Sequence, residues 1–164
     1  MKKILFVLTL VLVFVFSFSI AFADTHYVSG HSSVDAGEIR WGGSTRYSTQ
    51  WNAGISTWNA LGRISIAPDT IWTYEDLRVS DVSIPDSGWS GRYRNSVGAD
   101  TLQLNIFYMN RVTSARKQNI ITHELGHALG LAHSISGNIM YASPITQTSL
   151  GTQDVSDYNY LWGI

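Results

Sequence analysis

The stretch that decides the fold is residues 123–133, which read His123-Glu124-Leu125-Gly126-His127-Ala128-Leu129-Gly130-Leu131-Ala132-His133. His123 and His127 are four residues apart, so a helix places both imidazoles on one face, about 6 Å apart. Glu124 can reach a water at a metal held there without binding the metal itself. Gly130 can adopt a positive φ, end the helix and turn the chain so that His133 becomes a third ligand. Three protein ligands leave a fourth position open, which is the pattern of a catalytic rather than a structural zinc.

This pattern is specific enough to outweigh its simplest alternative. From the chain's own frequencies of His, Glu and Gly, the five fixed positions should occur by chance with a probability on the order of 10⁻⁵. The alternative is a histidine pair on an ordinary helix face, with Glu124 a solvated surface group. Against that alternative, Glu124 lies among apolar helix residues that include Ile120, Ile121 and Leu125, where an unpaired buried carboxylate would be costly. A metal-activated water explains this glutamate better.

The motif resembles the zinc-binding sequence of the metzincin metallopeptidases, H-E-x-x-H-x-x-G-x-x-H. Members of that group share a Met-turn beneath the metal, and Met140 in the stretch Gly137-Asn138-Ile139-Met140-Tyr141 is similar to it. Among metzincins the chain is most similar to the matrixins, the matrix metalloproteinase-like group. The features that carry this likeness are Ser134 after the third histidine, Met140-Tyr141, and the ending Asp154…Tyr158…Leu161-Trp162-Gly163.

The resemblance implies an α+β, metzincin-type fold. It would contain a twisted five-stranded mixed sheet with two long helices, then a small C-terminal subdomain with the Met-turn and a final helix. Hydrophobic periodicity and turn residues independently predict most of these elements. They predict a mostly parallel sheet, with strands near 38–41, 63–67, 76–84 and 101–108, and helices near 46–61, near 114–131 and from 152 onward. The fifth strand, an edge within 87–97 that would pair with an extended substrate, comes from the resemblance alone.

The N-terminus has the pattern of a signal peptide. Lys2 and Lys3 precede an apolar run over 4–16, and Ala21-Phe22-Ala23 is a cleavage signal, so we expect cleavage after Ala23 and secretion. The alternative is an uncleaved anchor, since about 20 mostly apolar residues can span a bilayer. The predicted organisation is a signal peptide over 1–23, a flexible segment over 24–37 and a metallopeptidase catalytic domain over 38–164.

Composition excludes several other classes of protein. The 164 residues include no cysteine, which rules out a disulfide scaffold, thiolate-bound zinc and thiol catalysis; within the family it also removes the cysteine-switch latency. A formal net charge of -1 argues against a nucleic-acid-binding face. The resemblance implies protein or peptide substrates, and we further expect no nucleic acid, no membrane contact after leader cleavage, and a monomer.

The predicted function is a secreted zinc-dependent endopeptidase. Its single Zn²⁺ would be held by His123, His127 and His133, and Glu124 would act as general base on a zinc-activated water. The alternative is a non-catalytic surface binding protein that retains the zinc site on the same fold. It is disfavoured because binding zinc does not require Glu124.

The resemblance leads to three further expectations, which concern a second zinc, calcium and the substrate pocket. Only His26 and His31 lie outside the motif, so we predict no second, structural zinc. Calcium is a further candidate cofactor, for which Asp81, Asp86 and Asp100 could supply carboxylates, although surface aspartates are more often simply solvated.

The third expectation concerns the substrate pocket. Leu125, Leu129 and Ile139 suggest an apolar subsite near the metal. Animal matrixins place a proline soon after Met-Tyr, in the wall of the pocket for the residue after the scissile bond. Here Ala142-Ser143 intervene before Pro144.

Overall fold

A five-stranded sheet forms the centre of the computed structural model, which describes residues 25–163. The strands are β1 (Glu38–Gly43), β2 (Ser65–Pro68), β3 (Leu77–Val82), β4 (Gly91–Arg94) and β5 (Asp100–Asn105). Their order across the sheet is β2-β1-β3-β5-β4. Strands β1, β2, β3 and β5 are parallel, and β4 pairs antiparallel with β5 at one edge. The five-stranded mixed sheet is as predicted, and β4 is an edge strand within the expected range 87–97.

Within residues 25–163, four helices accompany the sheet: α1 (Ser48–Asn59), α2 (Ile106–Met109), α3 (Ser114–Ala128) and α4 (Thr152–Trp162). The tryptophans of α1 are core residues, as their helical spacing predicts, with Trp51 and Trp58 each 1% exposed. The indole N–H of Trp58 donates to the carbonyl of Thr122 at 2.8 Å. This bond fastens α1 to α3, the helix that carries the motif.

The sequence prediction is wrong where β5 ends. Apolar alternation extended this strand to Tyr108, but the strand stops at Asn105 and α2 begins at Ile106. The Asn105 side chain accepts a hydrogen bond from the backbone N–H of Phe107 at 3.2 Å. That is an N-cap, which satisfies a free donor at the start of a helix and so favours helix over strand.

The N-terminal segment lies against the turn after α3. Backbone bonds join Ser33 to Ala128, Ser29 to Gly130 and Ala132 to Tyr27, at 2.8, 2.8 and 2.9 Å. The predicted flexibility of residues 24–37 stays a prediction, although these bonds anchor residues 27–33. The predicted signal peptide lies outside the described residues. Within residues 25–163, no helix has the length and apolar character needed to cross a membrane.

Candidate zinc site and substrate cleft

The end of α3 explains how a third histidine reaches the first two. Gly130 has φ 91°, a backbone conformation that glycine adopts without a Cβ penalty. The N–H of Leu131 bonds to the carbonyl of Gly126 at 3.0 Å, and the N–H of Gly130 bonds to that of His127 at 2.9 Å. These two bonds are the Schellman motif that closes a helix. The chain then reverses, and His133 returns toward the helix.

The three motif histidines form one cluster. Their ligand-capable atoms all lie within 4.8 Å of one another, and the His127 and His133 Nε2 atoms are 3.3 Å apart. Nitrogens about 2.0–2.1 Å from a tetrahedral zinc are separated by about 3.3–3.4 Å. The spacing therefore suits one zinc ion, and His133 is the exposed member of the set.

Hydrogen bonds fix which nitrogen faces the cluster. His123 Nδ1 lies 2.8 Å from the carbonyl of Ile139, and His127 Nδ1 lies 2.8 Å from that of Leu131. A carbonyl only accepts, so each Nδ1 must carry the proton and each Nε2 keeps its lone pair. Burial lowers the pKa of His123 to about 4, and burial also lowers that of His127. Both rings are thus held neutral, the form that binds metal.

Glu124 is buried beside the cluster, with 8% of its surface exposed. Its Oε2 accepts the backbone N–H of Tyr93, on edge strand β4, at 2.8 Å. Burial raises the pKa of Glu124 to about 7, and the Tyr93 N–H and the charge of Arg92 offset that rise in part. A carboxylate poised near neutrality can both take up and give back a proton.

Met140 packs directly beneath this helix. It is 1% exposed, and it approaches α3 at Gly126, where an added Cβ would overlap its sulfur and lie 3.0 Å from Trp58. Ser134 N–H donates to the Met140 carbonyl at 2.8 Å. The turn around Met140 therefore supports both α3 and the segment that carries His133.

A cavity of about 410 Å³ opens beside the cluster. Its lining includes the apolar residues Trp89, Ile120 and Pro144, and it reaches Glu124 and all three histidines. The predicted apolar subsite residues do not line it: Leu125 and Leu129 are fully buried and Ile139 is 1% exposed. All three belong to the hydrophobic core, and the helical period places Leu125 and Leu129 on the side opposite His123 and His127.

Comparison with family models gives a match to the matrixin peptidases over residues 21–163. The chain belongs to the matrixin family. No curated protein sequence matches this matrixin. Among solved structures, it is similar to the GM1-bound form of the ECX AB5 holotoxin, with TM-score 0.57, 13% identity, and coverage of 77% of this chain and 80% of that one.

A second similar structure is high choriolytic enzyme 1, a hatching enzyme zinc-protease from the medaka fish Oryzias latipes. The TM-score is 0.52 at 18% identity, with coverage of 76% of this chain and 88% of that one. At these identities both likenesses show the fold alone. Family and fold together identify a metzincin domain of the zinc metallopeptidase type, and the histidine cluster fits the zinc site expected of that family.

The aspartates considered for calcium are not brought together in this matrixin. Asp81 pairs with Leu104 and Asp100 with Leu77, so they lie four positions apart along adjacent strands. Asp81 accepts bonds from Thr45 and Arg46. Calcium binding therefore stays a prediction, and Asp81 and Asp100 do not form a shared site for the ion.

Three contacts that support the site of this matrixin were not predicted from the sequence. The first is the bond from Tyr93 N–H to Glu124, and the second is the close approach of Gly126 to Met140. The third is made by Asp154, which the sequence offered only as part of the matrixin-like ending. Its carboxylate instead accepts the N–H groups of Ile139, Met140 and Gly151 at 2.7, 3.0 and 2.8 Å. Only the bond from Gly151 to Asp154 has a fixed spacing, that of a capping box, and the other contacts have none that could reveal them.

Proposed function

We propose that this matrixin is a secreted zinc endopeptidase that hydrolyses peptide bonds with Glu124 as general base. The observation that carries the proposal is the cluster of His123, His127 and His133, with ligand atoms within 4.8 Å, next to a buried Glu124 that lines the same cavity. In this proposal the three Nε2 atoms would hold the ion. Zinc bound there supplies Lewis-acid chemistry, lowering the pKa of a bound water toward neutrality and polarising the peptide carbonyl.

Glu124 would move the proton. Its Oε2 is held by the Tyr93 N–H, so the carboxylate has a fixed position against the cavity. As water attacks the carbonyl carbon, Glu124 accepts a water proton, and it then delivers that proton to the leaving amine nitrogen. The bond from Tyr93 supports this role because it orients the carboxylate while leaving its second oxygen free to accept.

Edge strand β4 would hold the substrate in an extended form. In an antiparallel ladder the backbone groups of successive residues point alternately to the two sides. Since Tyr93 N–H points to Glu124, the groups of Gly91 point to the same open side. An added substrate strand there would lie beside the general base, which supports main-chain recognition by strand addition.

Two substitutions test the proposal. Glu124→Gln should keep zinc at about one ion per chain and keep the fold, yet lose about 10²-fold or more of peptide hydrolysis. His127→Ala should lose both zinc and hydrolysis, because two imidazoles cannot hold a catalytic ion well. Metal content by elemental analysis and cleavage of a peptide library provide the readouts.

The outcomes separate the candidates. Full activity of Glu124→Gln would exclude it as the base. A wild-type protein that binds zinc but cleaves no library peptide would favour the non-catalytic binding protein instead. N-terminal sequencing of exported protein tests secretion, since residue 24 at the N-terminus supports cleavage and release, whereas Met1 supports anchoring.

A further inference from the structure

The cavity beside the histidines continues along α3 to a cation that the proposed hydrolysis does not use. Arg116 lines it together with Asn119, Ile120 and His123. An α-helix rises about 1.5 Å per residue, so Arg116 lies about 10 Å from His123 along the helix axis. Of the α3 residues in the wall, Arg116 is the furthest from the cluster, so its guanidinium marks the far end of the cavity.

Nothing else in the described part of the chain engages that guanidinium. Among residues 25–163, no carboxylate lies within ion-pair distance of the Arg116 side chain, and it has no hydrogen-bond partner. The neighbouring Asn119 is already satisfied, because its side chain binds the backbone of Ile145 and Gln147. The five N–H donors of Arg116 are therefore available to an acceptor that enters the cavity.

Local helix structure does not account for an arginine at this position. Thr113 caps α3 by accepting the backbone N–H of Arg116 at 3.3 Å. A positive charge in the first helical turn opposes the helix dipole, and no acidic residue in that turn balances it. A glutamate here would instead complete a capping box with Thr113. The placement is thus slightly unfavourable for the helix, and the exposed guanidinium is open to a ligand that enters the cavity.

We propose that Arg116 selects a carboxylate-bearing side chain, preferably glutamate, in the residue immediately after the scissile bond. The proposal rests on the peptidase function proposed above. Apolar walls from Trp89, Ile120 and Pro144 would contact the methylene groups, and the guanidinium would bind the carboxylate with two parallel hydrogen bonds. Glutamate fits better than aspartate because the cation lies at the end remote from the histidines. The substrate's own C-terminal carboxylate offers the same chemistry and is distinguished by the test.

The test compares cleavage of matched peptides by the zinc-loaded protein. The peptides carry Glu, Gln, Asp or Lys after the scissile bond and end in an amide. Wild type should favour Glu over Gln in kcat/KM by roughly three- to tenfold, the range of a partly solvated ion pair. Arg116→Gln should bring this ratio to about one, and Arg116→Glu should prefer Lys.

Two controls separate charge selection from misfolding. Lys117→Gln removes a neighbouring cation that lies over the Tyr47 ring, 5.5 Å from its centroid, and is outside the cavity wall; it should keep the wild-type preference. Arg116→Glu should melt no lower than wild type, because the new glutamate completes the capping box.

Every outcome decides the proposal. Equal cleavage of the Glu and Gln peptides by wild type, or a preference that survives in Arg116→Gln, overturns it and leaves the peptidase function standing. A preference that appears only when the peptide ends in a free carboxylate also overturns it, in favour of C-terminal recognition. If no peptide is cleaved, the peptidase function fails. In that case, the affinities of the Glu and Gln peptides are measured on zinc-loaded Glu124→Gln, with and without Arg116→Gln. The ratio of the two Kd values then shows whether Arg116 selects the carboxylate.

Discussion

Asp154 is a fully buried carboxylate whose two oxygens accept three backbone N–H groups, two of them from the Met-turn. Asp154→Ala would leave these donors without a partner, and we expect the free energy of unfolding to fall by about 2–4 kcal/mol. Zinc affinity should fall as well, because the carbonyl of Ile139 orients His123. Urea unfolding and zinc titration measure the two effects.

Asp154→Asn is the matched control for that substitution. Its amide keeps one acceptor oxygen of nearly the same shape, so its loss of stability should be smaller than that of Asp154→Ala. An unchanged unfolding midpoint for Asp154→Ala would contradict the role assigned to the carboxylate.

Single residues differ in how well sequence reveals them. His123, Glu124 and His127 could be predicted because helical periodicity fixes which side chains share a face. Asp154 accepts backbone N–H groups, and Tyr93 donates its own backbone N–H to Glu124. The partners in these bonds are 14–31 residues apart in the chain. Such a bond depends on tertiary structure and leaves no residue pattern, so their roles required coordinates.

At the scale of elements, the contact between α3 and the Met-turn requires a residue without a side chain at Gly126. Gly126→Ala would place a Cβ against the sulfur of Met140 and 3.0 Å from Trp58. We expect a loss of about 1–3 kcal/mol in unfolding free energy, since an extra methyl in a packed core forces displacement. Thermal or urea unfolding measures it.

A double substitution shows whether Met140 is the cause. In a Met140→Ala background only Trp58 remains close to the added Cβ, so adding Gly126→Ala should cost much less than it does in wild type. If the two losses simply add, the overlap with Met140 is not the source of the destabilisation.

Elements with a clear period could be predicted, and their ends could not. Both long helices and the five strands lie near their expected positions. The strand predicted to Tyr108 is shorter, because the side chain of Asn105 caps a helix in a run that alternation alone would continue. The N-cap bond of Asn105 thus marks the end of β5, although the alternation of apolar residues continues beyond it.

At the scale of the whole molecule, zinc should stabilise the folded state, since the histidine cluster unites α3 with the returning segment at His133. Free zinc at about 100 times its Kd adds about 2.7 kcal/mol to the unfolding free energy. A chelator should therefore lower the melting temperature of wild type. His127→Ala should melt at the same temperature with and without chelator, and an equal shift in that variant would contradict binding at this cluster.

The expectation of an edge strand came from the family resemblance and not from periodicity. Alternation predicts strands but not their neighbours, and β4 has only partly buried or exposed residues, so it has no clear apolar pattern. Its position at the edge depends on pairing with β5 and on contact with Glu124. Both are long-range contacts, which local sequence does not encode.

Asp100 ties three parts of the molecule together. Its carboxylate accepts bonds from His31 Nε2 at 3.0 Å and Ser33 Oγ at 2.7 Å in the N-terminal segment. It also accepts the Tyr93 hydroxyl on β4 at 2.6 Å and the Ser96 N–H at 2.8 Å. Burial raises the pKa of Asp100, but the bonds from Tyr93, Ser33 and His31 outweigh that effect, and the pKa lies below its usual range.

This lowered pKa sets the pH at which the network stabilises the fold. The unfolded chain protonates Asp100 at about pH 4, so the stabilisation is complete above that pH and is lost as the pH falls through the lower, folded-state pKa. Asp100→Asn should be less stable than wild type by about 1–3 kcal/mol at neutral pH. The gap should narrow below about pH 4, because wild type then loses the same charged acceptor.

Urea unfolding from neutral to acid pH measures that gap. Asp86→Asn is the control: Asp86 is exposed, and asparagine tolerates its φ of 61°, so its curve should run parallel to wild type. A gap between wild type and Asp100→Asn that stayed constant with pH would mean that shape, and not charge, supplies the stabilisation. If the difference in unfolding free energy narrows at acid pH, the charged Asp100 carboxylate joins the N-terminal segment to β4, the strand whose Tyr93 N–H binds Glu124.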